Sequence, residues 1–373
     1  MDERPVMLIA ALSGRALAQS ARRGGYRPLV ADFFGDSDTL EAALAHVRLT
    51  GDLANGIKEN TLMEALAILR RRRRPIGLVY GSGFEDRTQI LRRIASRWRL
   101  FGNDPTTVAS IKDPTVLSAI CASAKIPFPE LSFSKPKRSA GWLRKRQGGA
   151  GGGHIRPASR RHFGAGTMYY QRKVPGTAVS AAFLAGAGRA RVLGFSAQWS
   201  LPAPGRPYRY GGAVRPAALT PKSEALLAAA VERLVAATPL VGLNSADFMV
   251  DDERFWLLEV NPRPGATLDI FEPAQGSLFA LHVAACAGCL TAAPAPADGV
   301  KAAAIVYAEE DIPAVPPLIW PPWTADRPIA GTRIRAAEPL CTVYACGCAA
   351  AAARALAEER RKTVLALTRA RKS

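Results

Sequence analysis

The chain has 373 residues, of which 48% are hydrophobic and 22% are charged, so it is long enough for two or three globular domains. No apolar run approaches the roughly 20 residues of a transmembrane helix, and the acidic start does not resemble a signal peptide, so we expect a cytoplasmic protein without a membrane partner. The formal net charge of +19 suggests nucleic acid as a partner, but the basic residues are spread along the chain and no aromatic-interleaved RNA motif occurs, so that partner is unlikely.

The first part of the chain alternates apolar strands with helices. Strands are predicted at Pro5–Ala10, Tyr26–Asp32 and Ile76–Tyr80, and helices at Gly14–Arg23 and Thr61–Arg74. The five arginines at 70–74 would end the second helix, where cations suit the helix dipole. The alternation predicts a parallel sheet with crossover connections, so residues 1–103 are expected to form an N-terminal α/β domain.

Residues 104–166 are predicted to form a small subdomain with a glycine-rich loop. A helix at Asp113–Lys125 and a strand at Gly141–Lys145 precede the sequence Gln147-Gly-Gly-Ala-Gly-Gly-Gly153. Glycine lets backbone N–H groups approach phosphate oxygens, and Lys145 supplies a charge just before the loop. The pattern is neither a Walker A motif nor a dinucleotide fingerprint, so a flexible surface loop and a phosphate-binding lid both remain open.

Residues 167–290 are predicted to form a further subdomain of strands and one long helix. The strands are Met168–Val174, Val179–Leu184, Arg191–Gln198 and a pair within Gly242–Glu259, and the helix is Lys222–Ala237. The first strand is interpreted as an edge strand that ends in Pro175-Gly176. It could offer backbone groups to an adenine ring, or it could be an ordinary strand and turn.

The segment Leu258-Glu-Val-Asn-Pro-Arg-Pro264 is the most informative part of the sequence. Strand side chains alternate between faces, so Leu257, Glu259 and Asn261 are expected on one face. A buried carboxylate needs a partner, and Mg²⁺ shared with nucleotide phosphates would provide one. Arg263 follows at a place where its guanidinium could hold a phosphate or a carboxylate.

The position of Asp247 depends on the turn between the two strands that follow Gly242. An odd-length turn over Asp251–Glu253 would place Asp247 on the face of Glu259, whereas an even two-residue turn would place it on the opposite face. A solvated hairpin face is the alternative that requires no ligand.

The last part of the chain, residues 291–373, is expected to be an appended region, because Ala- and Pro-rich sequence at 291–298 marks a boundary. It should contain strands at Lys301–Tyr307 and Glu338–Ala345 and a helix at Ala349–Thr368. The Cys286-x-x-Cys289 pair suggests a zinc or redox site, but its surroundings favour a packed helix with small buried thiols, and no second pair has ligand spacing.

In their order along the chain, three segments resemble motifs of the ATP-grasp superfamily. Gly141–His154 resembles its phosphate lysine and glycine loop, Tyr170–Gly176 resembles its adenine hinge, and Asp247 with Leu258–Pro264 resembles its Mg-ATP motif. The resemblance implies the ATP-grasp fold, of class α/β and α+β. That fold has an N-terminal parallel α/β domain, a lid subdomain at 104–166, a C-terminal ATP-grasp subdomain at 167–290 and here a short appended region.

The resemblance also implies ATP and Mg²⁺, or Mn²⁺, as cofactors. It implies that ATP is bound by Lys145, Gly148, Gly149, Gly151, Gly152, Gln171, Arg172, Lys173 and Val174. It implies that the metal is bound by Asp247, Glu259 and Asn261. Finally, it implies that Arg263 and Lys145 are catalytic. Two departures from the family pattern matter. Many relatives have a second phosphate lysine after an aspartate, but here the pair is Asp113-Pro114 and Lys112 lies on the other side. Arg172 stands where many relatives have an acid.

The activity that the resemblance implies is an ADP-forming ligation of a carboxylate to an amine through an acyl-phosphate, with small molecules as partners and a homodimer as one allowed assembly. The chain resembles ligases that join tyramine to glutamate in methanofuran-type cofactor synthesis and ATP-grasp proteins of the tetrahydromethanopterin pathway. This implies an amino acid such as glutamate as a substrate. A carbamoyl-phosphate or biotin-carboxylase-like activity and a catalytically silent nucleotide-binding regulator are the alternatives.

Overall fold

Three β-sheets organise the chain, and they contain five, four and eight strands. The computed structural model describes residues 3–369 except 52, 54, 160–165 and 292–298. Within these residues, no helix is both long and apolar enough to cross a membrane.

The first sheet is parallel, and helices connect its strands. Its elements are β1 (Val6–Ala10), α1 (Arg15–Arg23), β2 (Arg27–Asp32), α2 (Ser37–Ala42), β3 (Ala45–Arg48), α3 (Glu59–Arg70), β4 (Leu78–Tyr80), α4 (Thr88–Ala95) and β5 (Leu100–Phe101). The strand order is β3-β2-β1-β4-β5, and every neighbouring pair is parallel. This confirms the predicted parallel α/β architecture.

The sequence analysis missed the shortest elements of this sheet. The elements α2, β3, α4 and β5 each span eight residues or fewer, which is too short for hydrophobic periodicity to distinguish them. Helix α3 ends at Arg70, so residues 71–74 lie beyond the helix and the predicted arginine-rich last turn is wrong. Arg72 has a φ of +57°, a left-handed conformation that an α-helix does not contain.

The second sheet is small and antiparallel. Its segment contains α5 (Pro105–Lys112), α6 (Pro114–Ser123), β6 (Leu131–Ser132), β7 (Trp142–Arg146), β8 (Arg156–Pro157) and β9 (Met168–Arg172). The strand order is β6-β9-β7-β8, so β9 is an inner strand and its prediction as an edge strand is wrong. Periodicity could not show this, because the two-residue strand β6 that covers β9 has no pattern of its own.

Helices α5 and α6 are separated by a single residue. The side chains of Asp104 and Asp113 cap the two helices by accepting backbone N–H groups, and a proline follows each cap. The second cap stops α5 at Lys112. The Asp113-Pro114 pair, which departs from the family pattern, therefore fixes the place at which the Lys112 side chain leaves the helix.

The third sheet is antiparallel and is the largest of the three. Its segment contains β10 (Thr177–Gly186), β11 (Arg189–Ser200), β12 (Tyr210–Arg215), α7 (Pro221–Ala236), β13 (Gly242–Asp251), β14 (Arg254–Asn261), α8 (Leu268–Phe271), α9 (Leu278–Cys286), β15 (Val300–Tyr307), β16 (Thr324–Ala325), β17 (Pro339–Gly347) and α10 (Ala350–Arg369). The strand order is β14-β13-β10-β11-β12-β15-β17-β16. The predicted strands and helices of this segment are confirmed with small shifts at their ends.

The C-terminal strands continue this third sheet. Strand β15 pairs with β12 through Lys301–Ala304, so the region beyond residue 291 shares its hydrogen bonding with the strands that precede it. The predicted boundary at 291–298 lies outside the described residues except for Thr291.

Packing in the core determines which face of β13 carries polar side chains. Ala246, Phe248 and Val250 belong to a buried cluster that also contains Phe183 of β10 and Val231 of α7. Because strand side chains alternate, the residues between them point away from this cluster.

Asn103 joins the first sheet to the third. It follows β5, and its Nδ2 donates to Oδ1 of Asn244 at 2.8 Å and to the carbonyl oxygen of Pro262 at 2.9 Å. Its Oδ1 accepts the backbone N–H of Val241 at 2.8 Å. The side chain is buried, so these three hydrogen bonds hold the carboxyl edge of the parallel sheet against β13 and the end of β14.

We predict that Asn103→Ala lowers the free energy of unfolding by about 2–4 kcal/mol, because it leaves buried donors and acceptors without partners. Urea denaturation followed by circular dichroism measures the change. The matched control is Asn60→Ala on the exposed side of α3, for which the change should stay within about 0.5 kcal/mol. Equal effects of the two substitutions would show that Asn103 does not join the sheets.

Candidate active site

A β-bulge in β14 decides which polar side chains meet. The turn between β13 and β14 has two residues, 252–253, and an even turn was expected to place Asp247 away from Glu259. Instead, Asp247 lies directly opposite Glu259, because the register shifts beside Asp247 and leaves Leu258 as an extra residue. The expectation from turn length was wrong for this hairpin, since the bulge moves the register by one residue.

The bulge also corrects the predicted face of Leu257. Simple alternation placed it with Glu259 and Asn261. It pairs instead with Phe248 and lies with Val260 in the hydrophobic core. Alternation fails here because two consecutive residues of β14 face one residue of β13.

Hydrogen bonds hold the carboxylate of Asp247 in place. Ser180 Oγ donates to Oδ1 at 2.6 Å, Gln198 Nε2 donates to the same oxygen at 3.4 Å, and Asn261 Nδ2 donates to Oδ2 at 3.1 Å. Burial and the neighbouring charge of Glu259 raise the pKa of Asp247. Two of the three predicted metal ligands are therefore in direct contact, and the third lies opposite Asp247.

Two buried lysines face these groups. Lys112 Nζ lies 3.6 Å from Glu259 Oε1 and donates to Asn261 Oδ1 at 3.4 Å. Lys145 of β7 is 2% exposed, and burial lowers its pKa although Glu259 and Asp247 oppose that shift. Burial also acts to raise the pKa of Glu259, but the charges of the two lysines outweigh it and the pKa is lowered. Lys112, which the sequence left in doubt, thus lies beside the carboxylates.

The glycine-rich loop contacts two other parts of the chain. Gly148 has a φ of +70°, and a Cβ there would lie 2.7 Å from the Cβ of Asp86. At Gly152 a Cβ would lie 1.8 Å from the carbonyl oxygen of Tyr208. Gly151 accepts the backbone N–H of Tyr210 at 3.0 Å. Only glycine fits at these two close approaches, which bring the loop over the site.

His154 fills space behind this loop. A Cβ at Gly149 would lie 2.3 Å from the imidazole ring. The ring lines a small cavity together with Lys112, Tyr169 and Glu259. Burial lowers the pKa of His154 to about 4, and its Nδ1 has no hydrogen-bond partner among the described residues. The sequence analysis gave His154 no role, and no motif marked it.

The predicted adenine segment supplies one buried side chain. Gln171 is 1% exposed, and its Nε2 has no hydrogen-bond partner within the described part of the chain. The backbone N–H groups of Arg172 and Lys173 donate to carbonyl oxygens at 2.9 and 2.8 Å, and both side chains are exposed. Val174 is half-buried. Arg172 and Lys173 can therefore offer a ligand their carbonyl oxygens but not their N–H groups.

Arg263 is held by a carboxylate from the first sheet. Its Nε donates to Glu85 Oε1 at 2.6 Å, and Glu85 also accepts two backbone N–H groups of the preceding turn. Burial acts to raise the pKa of Glu85, but the charges of Arg263 and Lys112 lower it to about 2. The sequence analysis missed Glu85, although a carboxylate that follows β4 at the carboxyl edge of a parallel sheet is a signal for a ligand site.

The Cys286-x-x-Cys289 pair forms no metal site in the described residues. Cys286 ends α9, where burial raises the pKa of its thiol to about 12, and Cys289 is exposed beyond the helix. The expectation of a packed helix with buried thiols therefore holds for Cys286 and is wrong for Cys289. More widely, the described chain holds no group of three or more His, Cys, Asp or Glu that could bind a metal ion.

The donors nevertheless fit a magnesium–nucleotide complex. Mg²⁺ takes only one or two protein carboxylates when phosphates complete its ligands, which matches Asp247 and Glu259 with the amide oxygen of Asn261. The Gln171 and His154 nitrogens are orphaned polar atoms of a kind that native structures usually satisfy. The structure brings these groups together, and their roles remain predictions.

Comparison with known proteins supports the same fold. Residues 116–267 match a family described as the ATP-grasp domain. No curated protein matches the chain.

Solved structures resemble the whole chain. Biotin carboxylase from Campylobacter jejuni has a TM-score of 0.71 and 15% identity, over 93% of this chain and 88% of that one. The biotin carboxylase domain dimer of 2-oxoglutarate carboxylase from Hydrogenobacter thermophilus, in complex with MgADP, ADP and bicarbonate, has a TM-score of 0.70 and 12% identity, over 92% and 86%. N5-carboxyaminoimidazole ribonucleotide synthetase from Thermotoga maritima has a TM-score of 0.68 and 14% identity, over 96% and 98%.

These matches cover nearly the full length of the chain, and the parallel N-terminal sheet and antiparallel C-terminal sheet agree with them. The chain therefore has the ATP-grasp fold, and residues 116–267 match the ATP-grasp domain.

Proposed function

We propose that this protein is an ATP-dependent ligase that joins a carboxylate to an amine and forms ADP. The carrying observation is the group in which Asp247 and Glu259 face Lys112 and Lys145. Lys112 Nζ and Glu259 Oε1 lie 3.6 Å apart, whereas a charge-assisted hydrogen bond measures roughly 2.8 Å. The two charged groups therefore do not fully satisfy each other. A divalent cation and nucleotide phosphates would satisfy both halves of the group, because carboxylates bind the cation and lysines bind phosphate.

In this proposal Asp247, Glu259 and Asn261 hold Mg²⁺ or Mn²⁺, which supplies positive charge to the phosphates when bound. Lys112 and Lys145 neutralise phosphate oxygens. Both lysines are buried, and electrostatic attraction is stronger in such a site than in water.

The loops around the site enclose the nucleotide. Backbone N–H groups of Gly148, Gly151 and Gly152 cradle phosphate. Gly149, whose N–H donates to the carbonyl oxygen of Arg146 at 3.1 Å, lines the phosphate site. Gln171, Arg172, Lys173 and Val174 border the adenine. Closure of the glycine-rich loop excludes water, which would otherwise hydrolyse an acyl-phosphate. The contacts of Gly148 with Asp86 and of Gly152 with Tyr208 support this role, since they place the loop between the first and third sheets.

Arg263 would bind the substrate carboxylate and stabilise the acyl-phosphate formed from it. Glu85 acts as a positioning residue, because its hydrogen bond with Nε of Arg263 fixes the orientation of the guanidinium plane. A guanidinium fixed in this way can donate two parallel hydrogen bonds to a carboxylate. Positioning of this kind accounts for much of the rate enhancement in reactions that need no side-chain nucleophile.

The proposal extends to substrate and setting. We propose an amino acid such as glutamate as the carboxylate substrate and a role in the synthesis of a methanofuran- or tetrahydromethanopterin-type cofactor, supported by the resemblance of the sequence to such ligases. We also propose a cytoplasmic homodimer. The dimeric biotin carboxylase domain of similar fold supports that assembly.

Carboxylation of bicarbonate is the second candidate, because the similar structures include biotin carboxylase and N5-carboxyaminoimidazole ribonucleotide synthetase. A silent regulator is less well supported, since Lys112 lies beside Glu259 despite the missing lysine after Asp113. Release of phosphate from Mg-ATP should be measured with amino acids and aryl-ethylamines, singly and in pairs, and with bicarbonate. Stimulation by a carboxylate–amine pair supports the ligase, stimulation by bicarbonate supports carboxylation, and no stimulation supports the silent regulator.

We predict that Glu259→Gln lowers kcat by about 100-fold or more while the fold survives, because a neutral amide binds a divalent cation weakly. Phosphate release and Mg²⁺-dependent nucleotide binding are both measured, and circular dichroism verifies folding. Glu253→Gln, in the exposed turn before β14, is the control and should behave like the unaltered protein. Normal ATP consumption by the Glu259 variant would remove Glu259 from the metal site.

We predict that Lys145→Ala lowers kcat/KM for ATP by about 10- to 100-fold, because a hydrogen bond to a charged phosphate contributes roughly 1.5–3 kcal/mol. Steady-state kinetics over a range of ATP concentrations measure the effect. Lys135→Ala, an exposed lysine of the same subdomain, should leave the kinetics unchanged. Unaltered kcat and KM in the Lys145 variant would show that Lys145 does not contact the phosphates.

A further inference from the structure

Five aspartates surround Arg15 where the first and third sheets meet. This aspartate cluster consists of Asp32, Asp36, Asp38, Asp269 and Asp326. Asp32 ends β2, Asp36 and Asp38 lie at the start of α2, and the other two come from the third-sheet segment. None of them has a role in the proposed nucleotide site.

Arg15 forms ion pairs with two of these carboxylates. Its Nη1 and Nη2 donate to Oδ1 and Oδ2 of Asp269 at 2.7 and 2.8 Å, and its Nε and Nη2 donate to Oδ1 and Oδ2 of Asp326 at 3.0 Å each. Tyr344 and Thr342 donate further hydrogen bonds to Asp269 and Asp326, respectively. Both carboxylates are therefore satisfied within the protein.

Backbone groups and a histidine account for two more. Asp32 accepts the N–H groups of Gly14 and Gly35 and lies 2.9 Å from His46 Nε2. Asp38 accepts the backbone N–H groups of residues 326 and 327 at 2.9 and 3.0 Å. These contacts fix the loop after β2 and the segment after β16, and they leave one member of the cluster.

Asp36 is the member without a partner. Its residue is 3% exposed, and its carboxylate accepts no hydrogen bond from the described residues, including none as the cap of α2. Burial, together with repulsion by Asp326, Asp32 and Asp38, raises the pKa of Asp36 to about 9. One turn along α2, the buried hydroxyl of Thr39 also has no partner within the described chain. Asp36 and Thr39, three residues apart at the start of α2, are thus both buried without a side-chain hydrogen-bond partner in the described chain.

The cluster and Arg263 lie along the same edge of the parallel sheet. Asp36 follows β2, whereas Glu85, which holds Arg263, follows β4, and β1 lies between these strands. Strands β2 and β4 are two strand spacings apart, about 10 Å across the sheet. Ligands of open α/β sheets bind outside this carboxyl edge, so one extended molecule can reach both places.

A metal ion does not explain the cluster. Among the described residues, no three acidic, histidine or cysteine side chains are arranged to hold one, because four of the aspartates already point at protein donors. An organic cation needs one carboxyl group without a partner, and Asp36 provides it, giving up its proton as the cation binds.

We propose that Asp36 binds a protonated amine of the amine substrate, at the end of that molecule remote from the nitrogen that attacks. The inference rests on the proposed ligase function and names its amine class as a diamine or an amine with a guanidinium group. The attacking nitrogen must be unprotonated and close to the carboxylate at Arg263. The ammonium that Asp36 binds lies on the β2 side of the same edge, with β1 between the two places, and is therefore a different group of the same substrate.

Isothermal calorimetry on the full-length protein tests the proposal, with cadaverine as the dication, n-pentylamine as the monocation and n-pentanol as the neutral analogue. We expect saturable binding of both amines and none of n-pentanol. Asp36→Asn should weaken amine binding by about tenfold or more, since a charged hydrogen bond is lost. Glu41→Gln, which removes an exposed charge from the same helix, should bind like the unaltered protein.

A purely structural role for Asp36 predicts a different result. Asparagine is neutral and has the same shape, so thermal unfolding of Asp36→Asn should be unchanged or shifted upward, whereas loss of a structural ion pair would lower it. Absence of amine binding to the unaltered protein, or equal binding to the Asp36 variant, overturns the proposal. Nucleotide binding is measured separately, so a failure of ATP binding contradicts the proposed ligase function and leaves the cation site to stand on the calorimetry.

Discussion

The site depends on one irregular step in a hairpin. If the ladder continued regularly from the two-residue turn, Asp247 would lie opposite Leu258, and Glu259 would lie opposite Ala246 on the core side of the sheet. Glu259 would then point into the apolar cluster that contains Phe248 and Leu257. The bulge satisfies both demands, because it keeps the apolar half of the hairpin in register with the core and turns the polar half toward Lys112. One half of the hairpin thus packs in the core, and the other half carries the polar side chains of the site.

The remaining contacts fix the two large sheets against each other around this hairpin. Asn103 binds the end of β14, Glu85 binds Arg263, and Arg15 binds Asp269, so each connection starts at the carboxyl edge of the parallel sheet. Each ends on the segment between residues 261 and 269. Because two of the three are ion pairs of buried arginines, removing the carboxylate would leave a buried charge uncompensated.

Sequence alone predicted the parts that carry periodic patterns or dense motifs. The parallel α/β sheet, the long helices and the face shared by Glu259 and Asn261 follow from alternation and helical spacing. The bulge at Leu258 could not be predicted, because it has no composition of its own and is set by core packing on both strands. Glu85, His154 and Asp36 were missed for a related reason: each becomes informative only when a distant segment buries it. The inner position of β9 depends on a two-residue strand that no pattern marks.

The pairing of β12 with β15 has a consequence for how the chain can be divided. A sheet edge exposes a row of unpaired N–H and C=O groups that readily recruits another strand. If the polypeptide ended in the Ala- and Pro-rich segment, β12 would become such an edge, and Trp199 and Val214 would lose the apolar partners that β15 and α10 provide. The segment that the sequence marks as a boundary is therefore a poor place to cut. The last eighty residues cover the β12 edge of the sheet that carries Asp247 and Glu259.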